Sequence, residues 1–154
     1  MSDLHNSEIR NPKSEIFYVD LLGKEYAHNG RGPEYYDCWG MCMEIYKRLG
    51  RELPEFLPAV AEPACIHDVV DNAKGNFTEI PKPVPYCLVT FMVCTPYVTH
   101  IGVVLEDINT FIHLLKKSRV TIERLDSLAW ARRIKGFYLH CPPPEGAGGG
   151  INAG

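Results

Sequence analysis

A thiol becomes a working nucleophile when a base can take its proton and its surroundings favour the anion. The chain has six cysteines (Cys38, Cys42, Cys65, Cys87, Cys94 and Cys141) and six histidines. Cys38 follows Asp37 at the start of an amphipathic stretch, which puts it in the first turn of a helix. There the unpaired backbone N–H groups and the macrodipole favour a thiolate, and the Cys38 amide can hold an oxyanion. Of the histidines, His5 falls in an N-terminal arm, His67 on a surface helix, His28 in the loop before Cys38 and His140 at the end of the last strand. That leaves His100 and His113, on adjacent strands. If Glu106-Asp107-Ile108-Asn109 is a four-residue hairpin turn, Leu105 pairs with Thr110. Counting back pairs His100 with Leu115 and sets Gly102 opposite His113. Both imidazoles then share a face, with open space at the glycine; a slip of one residue would separate them. Taken singly, a helical cysteine is most often a small buried hydrophobe, and a strand histidine a satisfied core or surface group. A metal site built from Cys38, Cys42, His100 and His113 is a further option, although no CxxC or HxxxH spacing is present.

The elements that must position these residues are legible to different degrees. A short helix is expected over Glu15 to Leu22 and a loop over Gly23 to Tyr36. The main helix runs from Cys38 to about Leu49. Asp37 caps it, Met41, Ile45 and Leu49 form its apolar face with Cys42 and Tyr46 beside them, and Lys47, Arg48 and Gly50 close it. Residues 51–63 are Pro-rich and irregular, and a short helix is expected near Ala64 to Ala73. Pro81, Pro83 and Pro85 lead into strands at about 87–93, 99–106, 110–116, 120–124 and 134–140, each rich in β-branched and aromatic residues. A helical turn is expected between the last two, over Asp126 to Ala131. Helices first and antiparallel strands second is an α+β order.

At 154 residues the chain suits one compact domain. The expected division is a loose arm over 1–13, a folded domain over 14–141 and a Pro/Gly-rich tail over 142–154. The net charge of −3 gives no basic surface for nucleic acid. No apolar run reaches the ~20 residues of a membrane span. The polar stretch Met1 to Asn11 has no apolar h-region, so no secretory signal is expected, and the cysteines are expected to be reduced.

Several segments carry a resemblance to a known family. Tyr36 to Pro54 (YDCWGMCMEIYKRLGRELP) resembles the nucleophile segment of the NlpC family of papain-like cell-wall cysteine peptidases, with Asp37, Cys38, Trp39 and Gly40 matching its Asp-Cys-(Ser/Trp)-Gly motif. THIGVVLED matches the His-(Val/Ile)-Gly strand that carries the family's base, and TFIHLL the strand that ends on its third residue. Tyr26 in EYAHNG matches a tyrosine that supports the site. The resemblance covers roughly residues 15–140. It implies a papain-like NlpC fold, with N-terminal helices packed on a five- to six-stranded antiparallel sheet. It implies a Cys-His-His triad: Cys38 as nucleophile, His100 as general base and acid, His113 orienting His100, and Tyr26 as oxyanion or site support. No metal and no cofactor is implied.

The implied substrate is a peptidoglycan stem peptide, cut at a γ-D-glutamyl to diamino-acid bond. The first segment and the ending WARRIKGFYLH look most like short phage-encoded members associated with tail tips. That implies a virion component, made in the bacterial host cytoplasm, that opens the wall locally for DNA passage beside tail-tip or hub proteins. The alternatives are a structural tail protein with a weak or inactive site, an amidase or acyltransferase on the same fold, and a cytoplasmic enzyme. The chain departs from the family pattern at four places. Asn29 stands where a loop glycine is usual, Pro85-Tyr86-Cys87 replaces a Gly-Asp pair, the hairpin turn is one residue longer, and Leu114-Leu115 follows His113 where a small residue is common.

Overall fold

A computed structural model describes residues 17–55, 77–92 and 100–140. The expected arm, the helix near Ala64 to Ala73 and the Pro/Gly tail lie outside the described residues.

Helix α1 spans Cys38–Arg48. Asp37 is its N-cap, with extended backbone (φ −100°, ψ −177°), and its carboxylate accepts from the Gly40 N–H at 2.6 Å. Its last turn carries Lys47 and Arg48, and Gly50 follows at φ 83°. Lysine and arginine there face the negative end of the macrodipole, and a left-handed glycine stops the helix at no steric cost. Arg48 also ties the N-terminal segment to α1. It donates to the Phe17 carbonyl at 2.7 Å and pairs with Asp20 at 2.5 Å and Glu44 at 2.8 Å. Of the short helix expected over Glu15 to Leu22, the described part is a single 3-10 turn, Val19–Leu21.

Before α1, two short strands, β1 (Glu25–Tyr26) and β2 (Tyr35–Tyr36), pair in parallel where the sequence reads as a loop. After it come β3 (Phe77–Ile80), β4 (Leu88–Phe91), β5 (His100–Val104), β6 (Thr110–His113), β7 (Thr121–Arg124) and β8 (Ile134–His140). These six form one antiparallel sheet in the order β3-β8-β4-β5-β6-β7. Five of them fall where the sequence places strands. β3 does not: its middle residues Thr78 and Glu79 are exposed, and it forms the sheet edge beside β8, so it lacks the apolar alternation that marks a strand.

The sheet is apolar on both faces, which is why β4 and β5 are buried along their whole length. On one face Met41, Ile45 and Tyr46 of α1 pack with Leu88, Ile101, Val103, Ile112 and Leu114. On the other, Cys87, Val89, Phe91, Val104 and Phe111 pack with Leu125 and Trp130 from the turn between β7 and β8. That turn ends in a 3-10 turn at Ala131–Arg133, a few residues beyond the helical turn expected from the sequence. The fold is thus α+β, one helix on a six-stranded antiparallel sheet among the described residues. Among the described residues no helix is long and apolar enough to cross a membrane.

Candidate active site

The site is assembled from the start of α1, the β1–β2 loop and the β5–β6–β7 face. Asp37 holds more than the helix end. Its carboxylate also pairs with Arg31 at 2.8 Å, and Arg31 reaches on to Glu55 at 3.1 Å. The Gly30 carbonyl lies over the first turn of α1, accepting from the Asp37 N–H at 3.1 Å and from Arg31 at 2.8 Å. A Cβ on Gly40 would sit 2.2 Å from that carbonyl oxygen, so only glycine fits two residues after Cys38. Asn29, where a loop glycine is usual in the motif, has φ 59°. Asparagine is among the few side chains that tolerate this left-handed region, so the departure keeps the backbone shape. Tyr86, at the missing Gly-Asp pair, is likewise left-handed at φ 64°. Its carbonyl accepts from the Tyr46 hydroxyl and its ring stacks edge-on against Phe17.

The β5–β6 register is the one read from the sequence. Gly102 faces His113, Val103 faces Ile112, Val104 faces Phe111, and the Leu105 N–H donates to the Thr110 carbonyl at 2.9 Å. A Cβ on Gly102 would lie 2.9 Å from the Ile112 carbonyl and 3.1 Å from the His113 Cβ. The two imidazoles are in direct contact, with His100 Nε2 and His113 Nδ1 2.7 Å apart. These nitrogens face each other rather than a shared point, and among the described residues no group of three or more His, Cys, Asp or Glu is placed to hold a metal ion. Both rings are buried, among Phe91, Phe111 and Trp130, whose ring centroids lie 4.6–5.8 Å from them. Burial, with the neighbouring His113, holds His100 well below the usual imidazole range, so it is neutral at pH 7.

Cys38 approaches from the other side. It belongs to the α1-facing cluster, and the backbone N–H of Ile101, the residue after His100, is among the groups that favour its anion. The amides of Trp39 and Cys38 itself, at the helix end, act on it in the same sense. These donors pull its pKa down, but burial and the Asp37 charge outweigh them and push the thiol up to about 12. Burial therefore opposes the anion that the helix-end position favours. Burial decides the balance, and a helix dipole alone does not overcome it.

Tyr26 is held by backbone on both sides. Its N–H donates to the Ser118 carbonyl at 3.1 Å, and the next N–H, of Ala27, donates to Tyr36 at 2.9 Å. Burial and the nearby Cys38 and Asp37 push its hydroxyl up to about 12, so it remains an O–H donor at neutral pH. The structure thus brings His100 and His113 into hydrogen-bond contact, Cys38 to the residue beside His100, and Tyr26 within the electrostatic reach of Cys38.

Three features are invisible to the sequence reading. Arg31 braces the N-cap, Trp130 and Phe91 wall the imidazoles, and Glu123 lies 2.9 Å from His113 Nε2. Each depends on a long-range pairing, and the only local trace is a glutamate inside the β7 strand pattern.

An α-helix whose first residue is a cysteine, packed on an antiparallel sheet that presents a histidine pair, defines an α+β protein of the papain-like type. Residues 23–138 match the model of the NlpC/P60 family, and the chain belongs to that family, a family of cysteine hydrolases. Solved structures agree on the fold. A lipoprotein-like NLP/P60-family protein from Staphylococcus aureus superposes with a TM-score of 0.61 at 20% identity, over 86% of this chain and 43% of that one. An NlpC/P60-family protein from Bacillus cereus gives 0.63 at 19%, over 85% and 40%. The NlpC/p60 domain of the peptidoglycan hydrolase SagA gives 0.56 at 15%, over 83% and 96%. The chain spans less than half the length of the first two relatives. No curated protein matches it.

Proposed function

We propose that the chain is a cysteine peptidase that hydrolyses peptidoglycan stem peptides, at a γ-D-glutamyl to diamino-acid bond, as a phage tail-tip component that opens the cell wall locally. The observation that carries the catalytic part is the 2.7 Å His100–His113 contact, made by the strand whose Ile101 N–H acts on the Cys38 thiol. Family membership supports the cell-wall substrate. The segments Tyr36 to Pro54 and WARRIKGFYLH support the tail-tip role.

Both reacting groups start neutral, since the thiol is pushed up and the imidazole down. The reaction therefore begins with a proton transfer. His113 occupies His100 Nε2, which leaves Nδ1 to take the Cys38 proton as the sulfur attacks the peptide carbonyl. Catalytic contacts of this kind tighten when substrate binds. The S–C bond forms, and the carbonyl electron pair moves to oxygen, where the Cys38 amide and the Tyr26 hydroxyl donate to it. The C–N bond then breaks, with the His100 proton passing to the leaving amine. Water, deprotonated by His100, attacks the thioester and releases the acid, and the proton returns to sulfur. His113 orients the His100 ring and shares the charge that develops on it.

The test is incubation of purified peptidoglycan with the full chain and with Cys38→Ala, followed by mass spectrometry of released peptides. New amino and carboxyl ends at the stem peptide with the wild type alone support the reading. Identical release from the two sinks it. Products carrying a transferred acyl group would instead establish the acyltransferase reading. The covered thiol favours one second reading, a structural tail protein with a weak site. It predicts no release by either protein and slow alkylation of Cys38 at neutral pH even with peptidoglycan fragments present.

A further inference from the structure

We infer that Glu123 is a positioning residue for the proposed peptidase reaction: its carboxylate, 2.9 Å from His113 Nε2, sets the tautomers of both buried imidazoles so that His100 presents its lone pair at Nδ1. The inference rests on the reading of Cys38 and His100 given above.

The argument is one of donors and acceptors. A carboxylate can only accept, so His113 Nε2 must carry the proton in the Glu123 contact. A neutral imidazole has one N–H, so His113 Nδ1 is then an acceptor. His100 Nε2 faces that acceptor at 2.7 Å and must donate. The remaining nitrogen of His100, Nδ1, is left with its lone pair free, which is the form a general base needs. Reverse any one contact and His100 Nδ1 would hold a proton and could not take another. Without Glu123, nothing in the imidazole pair itself chooses between the two directions, because each ring can donate or accept.

The surroundings make this assignment matter. The two rings lie among Phe91, Phe111 and Trp130, which offer no competing carboxylate. Among the described residues the titratable groups near the pair are few. Glu123 comes from β7. From the start of α1 comes Cys38, and its N-cap Asp37 is engaged by Arg31. Arg133 lies on Trp130, 6.0 Å from that ring's centroid. The His113 side chain is fully buried while the Glu123 side chain is 37% exposed, so the carboxylate remains solvated on one side while serving the pair on the other. When His100 takes the thiol proton, the same negative charge stabilises the cation shared by the two rings.

The test compares the full chain with Glu123→Gln and Glu123→Ala, using two readouts. The first is 15N NMR of histidine-labelled protein above the imidazole titration range. It should show the His113 proton on Nε2 and the His100 proton on Nε2 in the wild type. Glutamine keeps an acceptor and should preserve this pattern. Alanine should redistribute the proton of His113 between its two nitrogens. The second readout is the pH profile of kcat/KM on peptidoglycan fragments. Both variants should move the acid limb to lower pH, because removing the negative charge lowers the proton affinity of the pair. Alanine should cost about tenfold to a hundredfold in kcat with KM little changed, and glutamine less.

A purely structural role would scale activity with the folded fraction and leave the acid limb in place. Wild-type tautomers retained in Glu123→Ala would overturn the inference whether or not the protein cleaves peptidoglycan. Absence of cleavage by the wild type would overturn the peptidase reading instead, while the tautomer readout would still decide the role of Glu123.

Discussion

The two hairpins that share β6 are built by different means. The β5–β6 turn is self-contained. Asp107 Oδ1 accepts from the Asn109 N–H at 2.9 Å and from the Thr110 N–H and hydroxyl at 3.1 and 3.0 Å, so the turn's own side chain fixes its length. The β6–β7 loop is held from outside. Val120 N–H donates to the Lys24 carbonyl at 2.8 Å, Gly23 N–H to Val120 at 3.0 Å and Tyr26 N–H to Ser118 at 3.1 Å. Arg119 pairs with Glu25 at 2.7 Å. The first hairpin sets the His100–His113 contact, and the second adds Glu123 to it. One part of the site is therefore fixed by local chemistry, and the other by a segment nearly a hundred residues earlier in the chain. That second loop also brings Tyr26 to the site, so a single set of backbone bonds serves two functional side chains on different elements.

If the first hairpin carries the larger share of the catalytic effect, His113→Ala has the largest consequence. It removes the partner of His100 Nε2 and leaves a buried imidazole N–H unpaired in an aromatic surround. Activity on peptidoglycan should fall by about 10²- to 10⁴-fold, and stability by about 1–3 kcal/mol. Steady-state kinetics and chemical denaturation read the two effects separately. A loss no larger than that of Glu123→Ala would mean that the two hairpins contribute equally. Gly102→Ala acts on the same hairpin through the backbone. The new methyl group would meet the Ile112 carbonyl at 2.9 Å and the His113 Cβ at 3.1 Å, neither of which is the free end of a flexible chain. A cost of about 1–3 kcal/mol is expected, together with a loss of activity greater than the loss of folded protein, since His113 must move. Unchanged melting would show that the strands can separate at that point.

The same contrast explains what could be read in advance. The β5–β6 register follows from one assumption about a four-residue turn, and Leu105, Gly102 and His113 then fall into place. Helix α1 is equally local: Asp37, the apolar spacing from Met41 to Ile45 and the closing Gly50 are all within one stretch of chain. Glu123 could not be placed, because the loop after His113 gives no length rule without Lys24 and Tyr26 beside it. β3 was missed because an exposed edge strand needs no apolar alternation, and its partner β8 lies about sixty residues later. Local and distant contributions oppose each other at Cys38. The helix-end amides are a local property, whereas the burial that outweighs them comes from the sheet packed against α1.

The smallest effects lie in the turn backbones themselves. Each hairpin carries a non-glycine residue in the left-handed region, Ile108 at φ 58° in the first and Lys117 at φ 64° in the second. A left-handed L-residue costs about 1–2 kcal/mol, and a β-branched one is the rarer occupant. Glycine relieves that cost but has more freedom to lose on folding, by about 0.5–1 kcal/mol. Ile108→Gly should therefore stabilise by at most about 1 kcal/mol, the residue being 40% exposed so that only part of its side-chain burial is lost. Lys117→Gly should gain about half of that or nothing, since lysine meets less strain there. Thermal melts of the two variants decide the order. A larger gain at Lys117 would mean that the outside anchoring of the second loop forces its backbone harder than the self-contained turn is forced, and that Glu123 is held in place at a cost in backbone strain.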